Sequence, residues 1–157
     1  MRHRARAKTH ADRADHRVVK TPYASARSYR EQEVLTAPPE RLVVLLFEGA
    51  VRFLERARLA LESRDTAAFH HNLNRADAIL DELLATLDLS QGEIASRLQG
   101  IYVFCKRQLA DARLARDSAA VARVARWLRE LGEAFDAASR TLRSETGAHA
   151  PGGAVRA

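Results

Sequence analysis

A single cysteine, Cys105, is present in the 157 residues, so the chain can form neither an internal disulfide nor a cysteine-based metal site. A secreted scaffold stapled by disulfides is therefore excluded. Aromatic residues make up only 6% of the chain, and there are seven Gly and four Pro. With no alternating apolar pattern and no evenly spaced turn signals, a β-sandwich or barrel is not expected. No apolar run approaches the roughly 20 residues that cross a bilayer, so membrane insertion is not expected. No N-terminal apolar stretch reads as a secretion signal, and the expected compartment is the cytoplasm.

Charge is present but unevenly placed. The formal net charge is +6, and residues 1–20 alone carry Arg2, Arg4, Arg6, Lys8, Arg13, Arg17 and Lys20 against Asp12 and Asp15, a net +5. The rest of the chain holds 19 basic and 18 acidic residues and is close to neutral. The basic character thus belongs to a tail and not to a folded face. Such a tail attracts phosphates without specificity. So polar a stretch nevertheless reads first as a solvated, disordered extension.

Residues 1–22 have almost no large apolar side chains beyond Val18 and Val19, and residues 23–37 form a sparser segment anchored by Tyr23, Tyr29, Val34 and Leu35. Thr36-Ala37-Pro38-Pro39-Glu40 reads as a helix start, because proline is tolerated in a first turn. Residues 144–157, with Pro151, Gly147, Gly152 and Gly153, read as a short disordered tail. Between the tails, apolar residues recur in steps of three and four. Leu42, Leu46, Gly49, Phe53 and Ala57 mark a first helix, and Phe69, Leu73, Ala76, Leu80, Leu83 and Leu87 a second. Ile94, Leu98, Ile101, Cys105, Leu109 and Ala112 mark a third. The fourth carries Val121, Val124, Leu128, Leu131, Phe135, Ala138 and Leu142. Helices at about 38–63, 65–88, 91–115 and 118–143, joined by short loops, make an all-α protein with an antiparallel four-helix bundle. Asp65 and Asp117 are expected N-caps, and Ser90 or Asp88 is expected to cap the third helix. Gly49 and Gly132, inside helices, point to close helix packing.

Catalytic patterns are missing. A di-metal bundle needs inward Glu residues and two Glu-x-x-His steps. The positions three before His70 and His71 are Ala67 and Ala68, and His3, His10, His16 and His149 fall in the tails. His70 and His71 are expected on the helix surface, and Cys105 on the third core stripe as an inert thiol. Asp77, Asp81 and Glu82 read as a solvated face. There is no phosphate loop and no nucleophile elbow. No cofactor, metal, small-molecule substrate or enzymatic activity is expected.

Apolar residues exceed what four core stripes need. Leu42-Val43-Val44-Leu45-Leu46-Phe47 is apolar all the way round, while Ile79, Leu84, Tyr102, Phe104 and Trp127 flank the seams. They fit either a wide core or exposed grooves that accept an amphipathic segment of another protein.

Ordered motifs narrow this choice. Tyr29-Arg30-Glu31-Gln32-Glu33-Val34-Leu35-Thr36-Ala37-Pro38-Pro39-Glu40-Arg41-Leu42 resembles the N-terminal signature of the FliS family of flagellar secretion chaperones, Tyr-x4-Val-x-Thr-Ala-Ser-Pro-Glu-x-Leu. Leu45 to Leu54 is similar to its Leu-Tyr-Asp-Gly-Ala-Ile-Arg-Phe-Leu block, and Arg75 to Leu83 to Lys-Ala-Gln-x-Ile-Ile-x-Glu-Leu. Gly92-Glu93-Ile94-Ala95 and Leu98-x2-Ile101-Tyr102-x-Phe104 match the family's third-helix motifs. The resemblance covers roughly residues 23–140, in order. Pro38 replaces the family's usual Ser cap, leaving Thr36 or water to cap the first helix; Asp77 replaces a Gln, Phe135 stands where a Trp is common, and residues 1–22 are additional.

The resemblance implies a cytoplasmic chaperone that binds the disordered, amphipathic C-terminal segment of flagellin in apolar grooves. It would prevent premature polymerisation and keep the client competent for export, with the flagellar export gate as a further partner. On that basis Ala76, Ile79 and Leu83 of the second helix and Ile101, Tyr102 and Phe104 of the third are expected to line one groove, with Arg75 laying its stem along it. Tyr29, Val34 and Leu35 are expected in a segment that folds over the bundle and moves when the client arrives. The competing readings are a helical adaptor for another partner and nucleic-acid or membrane-surface binding through the basic tail; nucleic acid is the less favoured partner.

Overall fold

The computed structural model describes residues 38–148, and within them the chain forms four α-helices and no strand. They are α1 (Pro39–Glu62), α2 (Thr66–Ala85), α3 (Glu93–Ala115) and α4 (Ser118–Ala148), with a 3-10 turn at Leu89–Gln91. Connections this short force neighbouring helices to run antiparallel. The core consists of α1 packed closely against α2 and α4, with α3 closing the ring more loosely against the same two helices. Small residues explain the difference. The buried face of α1 includes Gly49, and its Ala50, Ala57 and Ala60 share one core with Ala76 of α2 and Ala120 and Ala125 of α4. Around α3 the buried residues include Tyr102 and Leu109, which hold helix axes further apart.

Loop chemistry sets the helix ends. Asp65 Oδ1 accepts the Ala68 amide at 3.0 Å and Asp117 Oδ1 accepts the Ala120 amide at 3.1 Å, so both are the N-caps expected of them. Asp88 caps the 3-10 turn instead of α3: its carboxylate accepts the Ser90 hydroxyl at 2.6 Å and the Ser90 amide at 3.0 Å. These bonds hold the Asp88 carboxyl below its ordinary pKa. Gly92 then turns the chain into α3 at φ 96°, a conformation that favours glycine. At the start of α1, Pro38 is the N-cap residue and supplies no side-chain bond, while Thr36 lies outside the described residues.

Three of the expected core stripes need correction. On α1 the fully buried line runs through Val44, Phe47, Ala50, Leu54 and Ala57, while Leu42, Leu46 and Phe53 are half-buried. An apolar belt all round Leu42–Phe47 gives periodicity no single face to select. On α3, Ala95 and Tyr102 take the core positions, leaving Ile94 73% and Ile101 37% exposed. On α4, Val121, Val124 and Leu128 are buried, Leu131 and Phe135 half-buried, and Ala138 and Leu142 exposed. Register accounts for this last case. Gly132 meets Phe47 and Arg41 pairs with Asp136, so an antiparallel continuation puts Leu142 beyond the first residue of α1. The α2 stripe from Phe69 to Leu83 is buried as expected, and Leu87 is half-buried.

Candidate functional site

The seam between α2 and α3, where the resemblance puts a groove, is laced by polar contacts. Lys106 Nζ of α3 bonds the carboxylates of both Asp77, at 3.1 Å, and Asp81. Burial pulls the Lys106 pKa down, but the hydrogen bonds and charges of Asp81 and Asp77 outweigh it and the net shift is upward. Two turns on, Arg113 donates to Nδ1 of His70 at 3.0 Å and to Oδ1 of Asn74 at 2.6 Å. Two basic residues seven apart on α3 thus grip two polar pairs, each four apart, on α2. Asp77 and Asp81 are therefore a cross-helix anchor, not simply a solvated face.

The opposite flank of α3 is apolar and open. Phe104, 49% exposed, packs at a tilt against the half-buried Trp127 of α4 with ring centroids 5.6 Å apart. Ile101 lies one turn before Phe104 on the same face. Below these residues the core is already closed by Tyr102, Cys105, Val124 and Leu128, all fully buried. Ring and isoleucine surface therefore remains exposed beyond what the core requires, which is the pattern of a docking face.

The remaining expected site residues lie elsewhere. Arg75 sets its guanidinium 5.2 Å from the centre of the Phe53 ring of α1, and Ile79 packs over Gly49 of α1, so both belong to the α1–α2 side. Ala76 and Leu83 of α2 and Tyr102 of α3 are in the core, where none presents surface to a partner. The single groove expected of these six α2 and α3 residues is thus divided between core and two separate flanks. Tyr29, Val34 and Leu35 lie outside the described residues. Trp127 is the member of the α3–α4 face that the motif comparison missed; its signal is its place just off the fourth stripe, next to Leu128. A further shallow depression between α1 and α4 is floored by Val44, Phe47, Leu128 and Gly132, with Glu48 and Arg129 on its rim.

Reactive groups are buried out of the way. Cys105 is enclosed and its thiol is pushed up to about 11 by desolvation, which suppresses the thiolate at neutral pH. Desolvation, with a smaller contribution from Cys105, likewise raises Tyr102 to about 12. Among the described residues, no three His, Cys, Asp or Glu gather to hold a metal ion, and no helix is long and apolar enough to cross a membrane.

The flagellar protein FliS family model matches residues 22–142. The chain is 39% identical over 107 residues to the flagellar secretion chaperone FliS of Salmonella typhimurium, spanning 67% of this chain and 79% of that protein. It is 27% identical over 135 residues to the flagellar secretion chaperone FliS of Bacillus subtilis, spanning 86% and 97% respectively. The chain therefore belongs to the FliS family, whose relatives named above are flagellar secretion chaperones.

Proposed function

We propose that this chain is a cytoplasmic flagellar export chaperone that captures the C-terminal segment of flagellin on its apolar flanks, with Phe104, Trp127 and Ile101 as the principal anchors. The observation that carries the reading is the exposed Phe104 ring packed against the half-buried Trp127 over a core that is already closed. An amphipathic client helix laid along α3 and α4 buries its own apolar face against these rings and loses the surface through which it would self-associate. Each large apolar side chain so buried contributes about 1.5–3 kcal/mol. Micromolar binding needs about 8 kcal/mol beyond the cost of ordering the segment. Several contacts are therefore needed, and the α1–α2 flank around Ile79 and Arg75 is suited to a second stretch of the same client. Capture and release by such contacts need neither ATP nor covalent chemistry, and the bound client stays available for delivery to the export gate.

Trp127 is the only tryptophan in the chain and reports on this face directly. Titrating the flagellin C-terminal segment into the full chain shifts Trp127 emission to the blue and saturates. Phe104→Ala weakens binding by about tenfold or more, the scale of one lost aromatic anchor. Its urea midpoint moves little, because the ring is half exposed. Unchanged affinity in Phe104→Ala would overturn the assignment of this face.

A further inference from the structure

We propose that the end of the bundle formed by the first turn of α1 and the last third of α4 is an anion site that takes the carboxylates of an acidic stretch of a partner polypeptide. The site goes beyond the apolar capture described above and is separate from it. Its residues on α4 begin 13 positions past Trp127 apart from Asp136, roughly 20 Å along the helix at 1.5 Å per residue.

The open depression here is lined by Arg41, Asp136, Arg140, Arg143 and Ser144. Three guanidinium groups and one carboxylate thus share the depression. Asp136 satisfies Arg140 at 3.0 Å and reaches Arg41 only at 3.9 Å. Arg143 donates through Nε to the Ser139 carbonyl at 3.4 Å and meets no carboxylate among the described residues. Each guanidinium has five N–H donors in a fork that matches a carboxylate, so most of the donor capacity at this end is unspent. The α1 terminus carries the positive end of its dipole, with no side-chain cap from Pro38 and partly offset by Glu40 in its first turn.

Shape and surroundings favour a polypeptide over a free ion or a nucleic acid. A small anion in so open a site keeps most of its water and gains little, whereas carboxylates spaced along one chain engage several guanidinium groups at once. Among the described residues no aromatic ring lines the depression for base stacking; the adjacent Phe135 packs on Phe47 inside the bundle.

The experiment is an NMR titration of the full chain with hexaglutamate, inorganic phosphate and a short single-stranded RNA, reading the arginine Nε signals and the Ser144 amide. Hexaglutamate is expected to shift Arg41, Arg140, Arg143 and Ser144 saturably, with phosphate and RNA binding there at least about tenfold more weakly. Arg140→Gln with Arg143→Gln weakens hexaglutamate by about tenfold, the loss of charge-assisted bonds. The Arg140 side chain is 72% exposed, so a thermal melt serves to verify that the fold persists. Asp136→Asn removes the competing carboxylate and tightens hexaglutamate severalfold, which damage to the fold would not do. Phe104→Ala leaves this binding unchanged, so the site stands or falls apart from the apolar face. Shifts confined to residues 1–20, phosphate or RNA binding as tightly as hexaglutamate, or no gain in Asp136→Asn would each overturn the proposal.

Discussion

Gly132 of α4 lies so close to Phe47 of α1 that a Cβ added at the glycine would stand 2.8 Å from the Phe47 Cβ. The Phe47 Cβ is tied directly to the α1 backbone and cannot swing aside, so any side chain at Gly132 pushes the two helices apart. Forcing a methyl group into packed space costs about 1–3 kcal/mol, against about 1 kcal/mol regained from helix propensity. Gly132→Ala is expected to lower the urea midpoint. Gly49 gives the opposite sign: its added Cβ would meet the terminal Cδ1 of the half-buried Ile79 at 3.3 Å, and that methyl can turn away. Gly49→Ala is expected to be neutral or stabilising by up to about 1 kcal/mol. Equal losses in both variants would contradict this account of the α1–α4 contact.

Arg116 ends α3 in the left-handed region, at φ 50° and ψ 44°, while its amide bonds the Ala112 carbonyl. A side chain there carries a penalty of about 1–2 kcal/mol that glycine avoids, less the extra entropy glycine loses on folding. Arg116→Gly is therefore expected to raise the melting temperature slightly. A fall equal to that of glycine in an exposed helix interior, about 1 kcal/mol, would show that the arginine side chain holds the turn.

Three groups make the fold sensitive to alkali in the same direction. Burial raises Cys105 from 9.0 to about 11 and Tyr102 from 10.0 to about 12, so the folded protein retains protons that the unfolded chain releases first. Stability therefore falls as pH rises above the unfolded values of these groups. Lys106 adds to the trend. Its folded pKa is raised, so its contribution is complete below the ordinary lysine value and is lost as pH climbs through the folded one. Urea midpoints measured from about pH 8 to about pH 11 should decline, and less steeply in Tyr102→Phe, which has no group to ionise. A flat profile in the unaltered chain would contradict the buried, neutral state assigned to these side chains.

Much of the fold was legible from local pattern. On α2 a single apolar stripe, polar elsewhere, admits only one buried face, and Phe69 to Leu83 occupy it. Asp65 and Asp117 cap helices because each precedes a helical run at a tight joint. Pattern failed where it was redundant or where the answer lay in another helix. Leu42–Phe47 is apolar on every side, so which residues are central depends on α1 packing between α2 and α4. The Lys106 contacts with Asp77 and Asp81 span more than 20 residues of sequence and depend on the register of α2 against α3. The same register divides the expected groove: Phe104 turns toward Trp127 of α4, while Ile79 turns toward Gly49 of α1. Motif order identified the family, but not which matched residues face outward.

The central claim, apolar capture of a flagellin segment, is tested most directly by calorimetry of the full chain with the C-terminal segment of flagellin, across temperatures and at low and high salt. The account predicts one-to-one binding with a negative heat-capacity change and an affinity nearly independent of salt, as expected for buried apolar surface. Absence of binding, or an affinity that falls steeply with salt as phosphate-type attraction to the basic residues 1–20 would, contradicts it.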